Sequence, residues 1–130
     1  MGTDRAALGA RGERLAAQHL ESLGYKVVER NYRCPYGEID IVASEGGDLV
    51  FVEVKTRRNQ SFGCPSEGVD FRKQQKLVLS GEHYLMEREI GEVNCRFDVA
   101  EVYFLDGRPV TIEIIKGAFS ADWSEAHREL

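Results

Sequence analysis

Apolar residues recur over residues 4–23 at a spacing near the helical period, at Leu8, Leu15, Ala16, Leu20 and Leu23, and predict an amphipathic helix. Thr3 or Asp4 is available to cap its start and Gly24 to end it. The pattern then changes to short runs rich in β-branched and aromatic residues. Residues 25–32 read as a strand closed by the turn Cys34-Pro35-Tyr36-Gly37, and two stronger strands, 38–44 and 49–55, flank Glu45-Gly46-Gly47-Asp48. A glycine pair marks a tight hairpin because glycine tolerates positive φ at both central positions. Residues 56–70, with Gly63, Pro65 and Gly68, read as an exposed loop. Helical spacing returns over about 70–88, with Leu77, Tyr84 and Leu85 toward the core. Gly81 weakens that helix by up to about 1 kcal/mol relative to alanine. Strands at 96–105 and 109–115 flank Asp106-Gly107, and the tail 117–130 has no assigned element. Helix, three strands, helix, two strands in that order predict one α/β domain over residues 1–130, a mixed β-sheet flanked by helices.

If Gly46 and Gly47 are the loop residues, the hairpin pairs Asp40 with Glu53 and Glu38 with Lys55 on one face. The other face pairs Ile39 with Val54, Ile41 with Val52 and Ala43 with Val50 and is wholly apolar, while Val42 opposes Phe51 at the turn end of the charged face. Both faces are therefore covered, as in a central strand pair. Two carboxylates directly opposed, with Cβ atoms roughly 5 Å apart, repel one another. A shared proton, the Lys55 ammonium or a bound divalent cation would offset that repulsion. Hard oxygen ligands suit Mg²⁺ or Mn²⁺, and Lys55 is placed to stabilise charge developing on a phosphate, a combination that describes phosphodiester hydrolysis. The competing reading is an ion-pair cluster in which Lys55 bridges Glu38 and Glu53, which is costly to desolvate.

Composition narrows the classes. The chain has 130 residues, 42% of them apolar and 30% charged, enough for one compact domain and too few for two. The absence of a long apolar run and of a basic-then-apolar leader points to a soluble cytoplasmic protein without a membrane partner. Cys34, Cys64 and Cys95 are odd in number and widely spaced, and His19, His83 and His127 are scattered, so neither a disulfide framework nor a thiolate or imidazole metal site is expected. A net charge of −5 argues against coating nucleic acid by charge alone. Its distribution is uneven, however: residues 34–53 hold five acidic residues and no basic one, and residues 54–76 hold six basic residues against two acidic. An acidic pocket beside a basic rim suits metal-assisted phosphate chemistry.

Glu38-Ile39-Asp40 followed by Glu53-Val54-Lys55 resembles the signature of the PD-(D/E)xK nuclease superfamily, which includes restriction enzymes and Holliday junction resolvases. Gly12-Glu13-Arg14, Asn31-Tyr32-Arg33, Gly37-Glu38-Ile39-Asp40, Phe51-Val52-Glu53-Val54-Lys55-Thr56-Arg57 and Lys73 together resemble the bacterial YraN-type family over residues 9–105. The resemblance implies a restriction-endonuclease-like core and Mg²⁺- or Mn²⁺-dependent cleavage of DNA, selective for structure such as a junction or flap, with RNA as the other substrate class. Asp40, Glu53 and Lys55 would be catalytic. Asp40 and Glu53 would hold the metal, Glu13 would be the additional acid of resolvase-like members, and Glu38 would be either a ligand or the partner of Lys55. Arg57, Arg58, Lys73 and Lys76 are the candidates for phosphate contact, and resolvase-like relatives imply a homodimer. The alternative is a non-catalytic nucleic-acid-binding or partner-docking module on the same fold.

Overall fold

The computed structural model describes residues 2–58 and 69–120. Its elements are α1 (Gly2–Ser22), β1 (Lys26–Cys34), β2 (Gly37–Glu45), β3 (Asp48–Arg58), α2 (Phe71–Glu87), β4 (Cys95–Phe104) and β5 (Thr111–Phe119). The order expected from the sequence is the order found. The first three residues of the loop expected over 56–70 belong instead to β3, which runs to Arg58. Residues 59–68 of that loop, with Cys64, and residues 121–130 of the tail lie outside the described residues.

Local chemistry explains the ends of the helices. Gly24 at φ 99° follows α1, its N–H donates to Glu21 O at 3.1 Å, and Tyr25 N–H donates to Leu20 O at 3.0 Å. That is the double closure of a left-handed helix cap, sealed by the burial of Leu20 and Tyr25 in one cluster. Thr3 and Asp4, expected at the start of α1, lie inside it, since the helix begins at Gly2. Leu23, expected in the core, is 51% exposed because it belongs to the turn and not to the helical stripe. Asp70 caps α2 by accepting from Lys73 N–H at 2.8 Å.

The five strands lie in sequence order; β1–β2, β2–β3 and β4–β5 are antiparallel, and β3–β4 is parallel, the connection that contains α2. One face packs on α1, where Ala16, Ala17 and Leu20 meet Ile41, Val50, Val52 and Val102. The other packs on α2, where Leu77, Val78 and Tyr84 meet Tyr32, Ile39, Phe51 and Phe97. Burial on both sides is why Leu49-Val50-Phe51-Val52 is continuously apolar. Among the described residues no helix is long and apolar enough to cross a membrane.

Gly81, unfavourable for helix propensity, is where α2 rests on the sheet: a Cβ there would lie 2.9 Å from the Phe51 ring. Gly81→Ala therefore lowers stability by about 1–3 kcal/mol through overpacking, outweighing its helical gain, as a fall in thermal unfolding temperature would record.

Candidate metal centre

The ladder between β2 and β3 runs from Glu45 opposite Asp48 to Ile41 opposite Val52 and ends there. Its register is the one the Gly46-Gly47 turn dictates, but the rungs Asp40–Glu53 and Glu38–Lys55 are not formed. Instead Val54 N–H donates to Asp40 Oδ2 at 2.8 Å, so the carboxylate stands where the next ladder carbonyl would be. A strand N–H points along the sheet toward its neighbour, which places this carboxylate between the strands rather than on one face.

Acids converge on it from both sides. One carboxylate oxygen each from Glu13 on α1, Glu38 and Asp40 lie within 4.8 Å of one another. Glu53 is within hydrogen-bonding reach of Asp40 and faces α2, where Lys73 Nζ lies 3.5 Å from its Oε2. The four acids expected from the sequence are thus gathered, but around a gap in the sheet and not on one face. Ile39, expected beside Ile41, packs in the α2-side cluster with Val42, so the alternation of β2 breaks at Asp40.

Each outer acid has a cation of its own. Arg30 Nη2 lies 3.1 Å from Glu13, Arg33 Nε lies 3.3 Å from Glu38, and Lys73 serves Glu53. Asp40 has none among the described residues. Burial, then the charges of Glu53 and Glu13, push its carboxyl up to about 7 despite the opposing Val54 hydrogen bond. Lys55 forms no ion pair among the described residues, so it does not bridge Glu38 and Glu53; those acids are taken by Arg33 and Lys73.

A cleft opens beside Asp40, lined also by Arg5, Leu8, Glu13, Thr56 and Arg58. Gly12 lets α1 close over β3, since a Cβ there would collide with Thr56 Oγ1, and the adjacent Glu13 is thereby brought to the centre. Of the expected phosphate contacts, Arg58 reaches this cleft, Lys73 borders the centre and Lys76 is exposed on α2. Arg57 is drawn inward to the buried Glu101 at 3.2 Å, and Tyr103 Oη donates to the same carboxylate at 3.0 Å. Glu101 is the rung partner of Lys55 on β4, a neighbour that only the parallel register reveals.

A second charged cluster, near the β2–β3 turn, is structural. Buried Asp98 accepts from Tyr25 Oη at 2.8 Å, Arg96 Nε at 2.9 Å and Gly117 N–H at 3.0 Å, while Arg96 also binds Glu45 and Asp48. A carboxylate so fully satisfied holds elements together and offers no open position.

The sequence matches the uncharacterised protein family UPF0102 over residues 12–102, a span containing all four acids and Lys55. A UPF0102 protein of Moorella thermoacetica is 48% identical over 116 residues, covering 88% of this chain and 97% of its own. One of Desulforamulus reducens is 45% identical over 121 residues, covering 91% and 99%, and one of Rhodococcus opacus 44% over 113 residues, covering 87% and 96%.

Proposed function

We propose that this chain, which belongs to the uncharacterised protein family UPF0102, is a metal-dependent nuclease hydrolysing DNA phosphodiester bonds on the PD-(D/E)xK plan. The observation that carries the reading is Asp40: a half-buried carboxylate at the junction of Glu13, Glu38 and Glu53 that has no cation among the described residues, with Lys55, two residues beyond Glu53, in no ion pair among them. A purely structural cluster would place Lys55 in that position of need.

The donor set fits a small divalent cation, since only carboxylate oxygens converge and Mg²⁺ or Mn²⁺ prefers hard oxygen ligands. Asp40 would hold it together with Glu13, Glu38 and Glu53. Such an ion supplies Lewis-acid polarisation of a phosphate oxygen and acidification of a water. The chain's own groups do the rest. Val54 N–H fixes one oxygen of Asp40, leaving the other for the ligand. Lys55 Nζ donates to the phosphate oxygen on which charge develops, where a preorganised cation is most effective. Arg58, Lys73 and Lys76 contact flanking phosphates, while Arg57 is held by Glu101 and stiffens β3. The ion pairs Arg33–Glu38 and Lys73–Glu53 are open to solvent on the basic side, so each base is released to a phosphate at little cost. Selection follows the structure of the DNA, since the basic groups are placed for backbone contact.

Arg58→Ala is expected to weaken binding alike across DNA sequences and to reduce the slope of log affinity against log salt by about one. Titrations at several salt concentrations measure both. The function itself is tested with labelled linear, flapped, single-stranded and four-way-junction DNA, and RNA, in Mg²⁺ or Mn²⁺ against chelator. Metal-dependent cleavage of a branched DNA supports the reading; binding that survives chelation without any cleavage supports a docking module instead.

A further inference from the structure

β1 and β2 pair in one register on both sides of Asp40, Arg30 with Ile41 and Tyr32 with Ile39. The rung between them, Asn31 with Asp40, is missing, and Asn31 occupies the left-handed region at φ 56°. In a regular strand, residues two apart share a face. Here they do not: Arg30 reaches Glu13 on α1, whereas Tyr32 meets the Tyr84 ring on α2 at 4.9 Å. Ile41 likewise lies in the cluster under α1 and Ile39 in the cluster under α2. Both strands reverse phase at the same level. Without the reversal Asp40 would stand on the α2 face beside Val42, and Ile39 would be buried under α1. With it, the Asp40 carboxylate drops into the gap at the end of the β2–β3 ladder and takes the Val54 N–H at 2.8 Å.

We propose that Asn31 is the positioning residue of the metal centre, its left-handed backbone maintaining the paired phase reversal that sets Asp40 between the two faces of the sheet. The inference rests on the metal-centre reading of Asp40. Asparagine is among the few residues other than glycine that enter this region readily, and a β-branched residue is excluded from it. The Asn31 side chain is exposed, so the backbone conformation carries the role.

The test uses the full chain with Asn31→Gly, Asn31→Ala and Asn31→Val, and two readouts taken well below the unfolding temperature. One is Mn²⁺ affinity by calorimetry; the other is the proton shift and exchange protection of the Val54 amide. Asn31→Gly should match wild type in both, and Asn31→Val should bind Mn²⁺ about ten- to a hundredfold more weakly and lose the protected Val54 amide. If Asn31→Val does not fold, Asn31→Ala should show the same changes to a smaller degree. A valine or alanine variant that melts earlier yet keeps both the amide and the affinity overturns the proposal, because Asn31 is then an ordinary turn. If wild type itself binds no Mn²⁺, the metal reading fails, and the Val54 amide alone decides whether Asn31 positions Asp40.

Discussion

Lys55→Ala folds as wild type does and loses metal-dependent cleavage by about a hundred- to a thousandfold, the cost of removing one preorganised donor from a developing charge. The fold is spared because the Lys55 ammonium forms no ion pair among the described residues, and truncation leaves the Glu38 and Glu53 pairs with Arg33 and Lys73 in place. Metal affinity is also retained, since the lysine is not a ligand. The loss therefore falls on turnover and not on binding of metal or DNA. Lys55→Arg restores it incompletely, because a planar guanidinium does not reproduce a compact ammonium. Circular dichroism, metal titration and single-turnover cleavage separate these effects.

Asp40→Asn has the opposite signature, a more stable protein that no longer binds metal. The Asp40 carboxyl titrates at about 7 in the fold against an ordinary value of 3.8. Between those values the folded protein holds a proton that the unfolded chain has lost, so wild-type stability in chelator falls as pH rises from about 4 to about 7 and levels off above. Asparagine keeps an acceptor oxygen for the Val54 N–H and cannot ionise beside Glu53 and Glu13. At pH 8 in chelator the variant should be more stable than wild type by on the order of 2 kcal/mol, and at pH 4 the two should coincide. Saturating Mn²⁺ reverses the order, because a ligand at about a hundred times its Kd adds about 2.7 kcal/mol to wild type and nothing to the variant. Thermal unfolding at the two pH values, with chelator and with Mn²⁺, measures all four states.

Much of the fold can be read from residue order because the periods are clean and the punctuation is chemical. Gly24 closes α1, Asp70 opens α2, and Gly46-Gly47 sets the β2–β3 register correctly as far as Ile41 and Val52. The acids themselves are legible too, Asp40, Glu38 and Glu53 from their places on the hairpin and Glu13 from the family resemblance. Their arrangement is not. Extending the register one rung further assumes that a backbone carbonyl continues the ladder, whereas here a side-chain carboxylate does. Nothing local distinguishes Asn31 in the left-handed region from an asparagine in a plain strand, yet the phase of both strands turns on it. Arg33 beside Glu38 follows from closing the first hairpin on Cys34-Pro35-Tyr36-Gly37. Arg30 beside Glu13 and Glu101 beside Lys55 do not follow, because the first depends on how α1 lies over the sheet and the second on a parallel pairing across a long connection.

The nuclease is tested by the rate at which wild type and Glu53→Ala, both shown to be folded, cleave the best substrate of the DNA panel in saturating Mn²⁺. Wild type should show metal-dependent cleavage that is abolished in Glu53→Ala. Equal cleavage by the two proteins, or no cleavage of any substrate by folded wild type, would contradict it.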